Sequence, residues 1–202
     1  MSNATAYDLE QVDIVKRYCD TILGLEAYKE YSAASGDVAP LTLMYEGWIL
    51  DSLGKHLVGI RAQKGVVLRG EYKSSDVDII IYEGDAKYSD HRAAGVEASN
   101  VVYLVEVSRS SKFIVAKHEE KMERLGRFCS NIASVAYFGT TNDSADWEKR
   151  GVKLFVLSEG TRSKPDVPVK PIVGQLERLI TEIKTAKMNR SKSQVTSNTY
   201  AL

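Results

Sequence analysis

Three acidic residues interrupt apolar stretches: Asp76 and Asp78 in Ser75-Asp76-Val77-Asp78-Ile79-Ile80-Ile81-Tyr82, and Glu106 in Val101-Val102-Tyr103-Leu104-Val105-Glu106-Val107-Ser108. Both runs are rich in β-branched residues and read as strands. An unpartnered carboxylate is expensive to bury, so these acids are either solvated at a strand end or committed to a cation. Strand side chains alternate between faces, which predicts Asp76 and Asp78 on one side and Val77, Ile79 and Ile81 on the other. Glu106 and Ser108 likewise share a face, with Val105 and Val107 opposite. If the two strands pair, Asp78 and Glu106 come together, and two close carboxylates perturb each other's ionisation unless a cation lies between them. A hard divalent ion with oxygen ligands, Mg²⁺ or Mn²⁺, resolves that conflict, activates water and stabilises a pentavalent phosphate.

An Asp opening a β-branched run, followed by a second strand ending in Glu-x-Lys, is the signature of the PD-(D/E)XK nuclease superfamily. Ser75-Asp76-Val77-Asp78 followed by Glu106-Val107-Ser108 resembles that signature with the lysine replaced. The resemblance runs from about Leu41 to Gly139. An acid-bearing helix ahead of the strands is common in the superfamily, and Glu46 is similar in placement. The second strand is most similar to branches that read Glu-Val-x-Ser and carry the lysine on the next helix. These are the Uma-type endonucleases abundant in cyanobacteria and the cap-snatching endonucleases of segmented negative-strand RNA viruses. In both, a lysine lies about four helical turns of chain beyond the glutamate. Lys121 matches that offset, with Lys117 one turn before it.

The resemblance implies a restriction-endonuclease-like core and hydrolysis of phosphodiester bonds in DNA or RNA with Mg²⁺ or Mn²⁺. It implies Asp78 and Glu106 as ligands to the ion, helped by the Val107 carbonyl and by Glu46 or Asp76. Lys121 would orient the attacking water or steady the phosphate charge. Asp78 fits the motif better than Asp76, because it directly precedes the apolar run. The viral branch also takes a histidine ligand from an early helix, a place that His56 matches only loosely. Ser108 points the other way, to a catalytically inactive relative that binds nucleic acid or a protein partner.

Ordinary readings stand beside these. Glu46 suits the polar face of an amphipathic helix, and Lys117 and Lys121 sit among His118, Glu119, Glu120 and Glu123 with i,i+4 pairing spacing. Ser110 or Ser111 suits a helix N-cap, whereas Arg109 suits either a loop or a phosphate contact. Glu71 is a further candidate ligand, His91 a surface residue, and Trp48 and Trp147 are packing residues. No phosphate-binding Gly-rich loop, serine elbow or Cys/His zinc spacing competes.

The elements that must position these residues follow from periodicity. Asp8 to Tyr31 and Pro40 to about Gly54 read as helices, and Val58 to Arg69 as strand interrupted by a turn at Gln63-Lys64-Gly65. The two acidic strands are separated by a polar loop, Glu83 to Asn100. Then come a helix (Phe113 to Phe128), a strand (Ser134 to Thr140), a short helix to Lys149, a strand (Lys153 to Ser158), a Pro/Lys-rich linker (Thr161 to Pro171) and a helix (Val173 to about Lys187). This alternation predicts an α/β fold, a mixed central sheet flanked by helices, in one domain over residues 1–187. Residues 188–202 are polar and read as a disordered tail.

Composition narrows the function classes. The 202 residues are 44% hydrophobic and 27% charged, ordinary for a globular domain, with formal net charge zero. That balance does not mark a bulk nucleic-acid binder, but it is uneven. Residues 1–60 carry 4 Lys+Arg against 9 Asp+Glu, whereas residues 161–202 carry 8 against 3. Cys19 and Cys129 lie inside helical patterns without metal-ligand spacing, as expected of reduced thiols in an intracellular, cytoplasmic protein, with the nucleus left open. Neither a signal peptide nor a membrane span is read. A homodimer or a protein partner remains open.

Overall fold

An apolar run that lacks alternation, such as Ile132-Ala133-Ser134-Val135-Ala136-Tyr137-Phe138-Gly139, needs cover on both faces. In the computed structural model every residue of that run is buried. The structure describes residues 4–23, 39–89, 93–111, 116–160 and 170–199. Its helices are α1 (Ala6–Leu23), α2 (Ala39–His56), α3 (Ala116–Gly126), α4 (Ser144–Glu148) and α5 (Gln175–Thr199). Its strands are β1 (Arg61–Arg69), β2 (Tyr72–Lys73), β3 (Val77–Tyr82), β4 (Tyr88–Ser89), β5 (Ala94–Glu97), β6 (Val101–Ser110), β7 (Ile132–Gly139), β8 (Val152–Glu159) and β9 (Lys170–Pro171). Together they form one sheet of order β4-β5-β1-β3-β6-β7-β8-β9, with β2 paired to β1. β6, β7 and β8 run parallel, whereas β3 is antiparallel to both β1 and β6. This is the expected mixed sheet with helices on both faces.

Two apolar cores sandwich the sheet. On one face α1, α2 and α5 contribute Tyr18, Ile49, Leu53, Leu179 and Ile183 against Ile79, Ile81, Val105 and Tyr137. On the other, α3 and α4 bring Met122, Leu125 and Trp147 against Val67, Ile80, Leu104 and Ala136. The Tyr18 and Tyr137 rings stack at 4.3 Å, and the Tyr137 hydroxyl donates to the Tyr45 carbonyl at 2.8 Å. That bond ties the turn of α2 carrying residue 46 to the central strand. A buried amide staples the chain ends: Gln11 donates to the carbonyls of Leu157 and Ile172 and accepts from the Leu176 amide. Among the described residues no helix is long and apolar enough to cross a membrane.

Several local expectations change. Gln63-Lys64-Gly65 is no turn, because β1 runs unbroken from Arg61 to Arg69. The polar stretch Glu83 to Asn100 contains β4, β5 and a 3-10 turn at Ala98–Asn100, since pairing to β1 gives part of it a ladder. The last helix runs past Lys187 to Thr199. It is anchored there by tertiary bonds: Lys187 Nζ donates to the Gly59 carbonyl and Arg190 to the Val101 carbonyl. The linker over residues 161–169 and the ends of the helices predicted over 8–31 and 113–128 fall outside the described residues.

The alternation expected of β3 is broken by a bulge. Gln63 faces Ile80 and Gly65 faces Val77, so Lys64 alone opposes the two residues Asp78 and Ile79. A bulge of this kind turns the strand by one face. Val77 consequently joins the α3 core with Ile80 and Tyr82, instead of sharing a face with Ile79 and Ile81.

Gly65 is where the sheet leaves no room. A Cβ there would lie 1.9 Å from the Ala94 carbonyl oxygen and 2.7 Å from its nitrogen, both backbone atoms of the parallel neighbour β5. Gly65→Ala is therefore expected to cost about 3 kcal/mol, by forcing β5 off β1. Gly54→Ala, on an exposed helical position with nothing within 4 Å, is expected to gain up to about 1 kcal/mol. Urea unfolding of the two variants checks the contrast.

Candidate active site

The acids meet where β3 begins and β6 ends. Ile79 faces Val105 and Ile80 faces Leu104 across the antiparallel pair, and one further step of that register sets Asp78 opposite Glu106. The Asp78 carboxylate accepts the Val107 amide at 2.8 Å, joining the two strands by a side chain. This end of the sheet is also the carboxyl end of the parallel strands β6 and β7, where open α/β sheets leave a crevice.

Glu106 is 7% exposed, although it carries a carboxylate. Lys121, projecting from α3, donates to its Oε2. Its other oxygen, Oε1, is buried and has no hydrogen-bond partner among the described residues. Burial foremost, and then the Asp78 charge, push the Glu106 carboxyl up to about 8, against the opposing pull of Lys121. Glu106 therefore favours its protonated form more than an exposed glutamate does, and a further cation beside it would reverse that preference.

Glu46 and Lys64 form a second pair beside the first. Ile49 and Leu53, on the same side of α2, are fully buried, which carries Glu46 into the protein at 6% exposure. Lys64 Nζ lies 2.6 Å from its Oε2. Burial raises the Glu46 carboxyl, and Asp78 adds to the rise; Lys64 and Lys121 oppose it. Burial would lower the Lys64 ammonium, but Glu46, Asp78 and Asp76 together hold it above its ordinary value. These mutual influences place Glu46, Lys64, Asp78, Glu106 and Lys121 in one locale.

Asp76 is exposed and lies outside β3, at the mouth of the group rather than in it. The Ser108 hydroxyl donates to the Ser110 carbonyl at 2.9 Å, so it is turned along its own strand. His56 stands apart, 2.5 Å from Glu10 and against the Tyr7 ring. Glu71 is exposed on the β1–β2 turn. Trp48 packs on Tyr45, and Trp147 is buried and donates to the Ser111 carbonyl. The Ser111 hydroxyl bonds Asp143 and so braces the end of β6 against the turn before α4; the helix start that it was expected to cap lies outside the described residues. The side chains of Arg109, Lys117 and His118, and residue His91, lie outside the described residues.

Lys64 is the site residue that sequence reasoning missed. The available signal was Gly65, since an isolated glycine in a strand pattern marks a bulge or a close backbone approach. Read as part of a turn, the triplet concealed a lysine that the bulge sets opposite Asp78.

Among the described residues no group of three His, Cys, Asp or Glu side chains is gathered around one point as a metal would gather it. The donor types nevertheless suit a hard divalent ion, with two carboxylates on neighbouring strands and the buried Oε1 of Glu106 without a hydrogen-bond partner among the described residues.

No family model matches this chain, and no curated protein is similar to it in sequence. Solved structures are similar. NucC of E. coli MS115-1 in its cAAA-bound form superposes with a TM-score of 0.55 at 10% identity, over 92% of this chain and 93% of that one. Its apo form gives 0.51 at 13% identity, over 81% and 91%. NucC of P. aeruginosa ATCC27853, cAAA-bound, gives 0.55 at 8% identity, over 96% and 100%. The chain has a restriction-endonuclease-like fold. The match spans nearly the whole length of each neighbour.

Proposed function

We propose that this protein is a divalent-metal-dependent nuclease hydrolysing phosphodiester bonds, on a fold it shares with the NucC structures. The observation that carries this reading is Glu106, a buried carboxylate opposite Asp78 with one oxygen on Lys121 and the other without a partner. Asp78, Glu106 and the Val107 carbonyl would hold the ion, with Asp76 as an outer ligand at the mouth. Mg²⁺ or Mn²⁺ bound there supplies a polarised water and charge neutralisation at the phosphate.

The chain's own residues divide the remaining work. Val107 N–H fixes the Asp78 carboxylate through one of its oxygens, and Asp78 would then be held as a ligand. Lys121 holds Glu106 in line and presents an ammonium for the attacking water and the charge that develops on the phosphate. Glu46, itself held by Lys64, keeps negative charge at the inner wall, and Lys64 offers a second cation to the scissile phosphate. The sheet end and α2 supply the rigid walls that keep these groups in register.

One observation favours a second reading. Each of the two buried glutamates already has its own lysine, Lys121 on Glu106 and Lys64 on Glu46. A catalytically inactive relative that binds nucleic acid or protein would keep such pairs as scaffold. A thermal shift with Mn²⁺ and Mg²⁺, run beside cleavage of single-stranded DNA, duplex DNA and RNA, separates the two. The nuclease reading expects an ion-dependent rise in melting temperature, lost in Glu106→Ala, with cleavage. No ion shift in the wild type sinks it. Two of the similar structures are cAAA-bound, so parallel reactions with cAAA ask whether a cyclic oligonucleotide acts on this chain also.

A further inference from the structure

The opposite end of β6 holds a recess unrelated to these acids. It has a volume of about 530 Å³ and lies between the end of β1, the first residues of β6, the segment leaving α3, and α5. Arg69, Arg127 and Arg190 line it, and no Asp or Glu does. In a protein of zero net charge that is an uneven distribution. Elsewhere on the surface cations meet acids, as in Arg61–Asp85, Arg124–Glu120, Lys149–Asp146 and Lys153–Glu182.

Arg69 and Arg190 are both held by backbone carbonyls. Arg190 Nη1 donates to the Val101 carbonyl at 2.8 Å, and Arg69 Nη2 to the Phe128 carbonyl at 3.2 Å, with its guanidinium 5.7 Å above the Phe128 ring. A guanidinium has five N–H donors in a planar fork. Each of these spends one on a carbonyl, which orients the fork while its charge meets no carboxylate among the described residues. Arg127 reaches Glu123, 3.3 Å away on the exposed rim. Both Arg69 and Arg190 act electrostatically on the Cys129 thiol, which burial raises and they lower. Cys129 lines the same recess as both arginines. Asn131, whose amide donates to the Val102 carbonyl, adds a polar wall.

Oriented guanidiniums with unspent donors match the oxygens of a phosphate group. We propose that this recess binds a small phosphate ester of about nucleotide size, at a site separate from Glu106. Its volume falls in the range of small-molecule pockets. A recess of this volume, bounded on one side by α5, suits a compact ligand. The inference does not depend on the nuclease reading.

The test titrates inorganic phosphate, AMP and a short single-stranded oligonucleotide into the wild type and into Arg69→Gln/Arg190→Gln. Calorimetry and melting temperature are the readouts. Glutamine keeps a donor for each carbonyl, so the fold is retained; should the double variant not fold, Arg127→Gln on the exposed rim serves in its place. The expected result is AMP binding by the wild type, tighter than inorganic phosphate, weakened about tenfold or more in the double variant. The Mn²⁺-dependent shift at Glu106 should stay unchanged in that variant. Absence of a response to both phosphate and AMP overturns the proposal, as does a response equal in wild type and variant. Arginine-dependent binding of the oligonucleotide without binding of AMP overturns it in favour of a nucleic-acid contact surface.

Discussion

Glu106→Gln is expected to abolish the divalent-ion shift and to lower phosphodiester hydrolysis by about a thousandfold. The amide matches the carboxyl in shape and still offers Lys121 an acceptor, so the loss reports charge rather than packing. The pH dependence has a definite sign. Burial and Asp78 raise the folded carboxyl from 4.5 to about 8, so the folded state favours the protonated form. That contribution to stability is fully present below pH 4.5 and is lost as the pH rises through about 8. Gln cannot ionise. The ion-free variant should therefore match the wild type in acid and grow relatively more stable toward alkaline pH. Ion binding to the wild type must expel that proton, so affinity for Mn²⁺ should climb by about tenfold per pH unit below the folded pKa and level off above it. Melting curves and calorimetry across the pH range measure both. A Gln variant that keeps the ion shift removes Glu106 from the site.

Lys121→Met separates holding the ion from using it. Lys121 is the cation on Glu106, and its loss should reduce turnover by about a hundredfold or more, because the developing phosphate charge loses its ammonium. Ion binding should survive and even tighten, since the Glu106 charge is no longer shared with a lysine. Without the ion the variant leaves Glu106 buried with no cation. Removing one partner of a buried pair usually costs about 3–5 kcal/mol. Here the carboxyl can take up a proton instead, so the penalty should be small at neutral pH and grow on the alkaline side. Saturating Mn²⁺ should offset it. Melting temperatures with and without Mn²⁺, beside single-turnover cleavage, test this. A variant with full turnover returns Lys121 to an ordinary surface pairing.

The α/β class was legible before any coordinates, from β-branched runs that read as strands alternating with helical periodicity. The meeting of Asp78 with Glu106 followed only on the condition that their strands pair, and Lys121 entered through its offset in the family resemblance, not through a contact with Glu106. The side-chain face of Val77, the role of Lys64 and the length of α5 were not legible. Strict alternation groups Val77 with Ile79, but the β1–β3 bulge moves it to the opposite core. Lys64 becomes a site residue only because that bulge sets it against Asp78 and because α2 carries Glu46 within 2.6 Å. The polar end of α5 holds its helix where Arg190 and Lys187 bond distant carbonyls. What the sequence determined by itself was which residues must form strands and helices, and that two of the strands carry acids with a purpose. Register, bulge and helix docking were decided by tertiary structure, because they depend on pairing between segments far apart in the chain, whose energies no local pattern of residues contains.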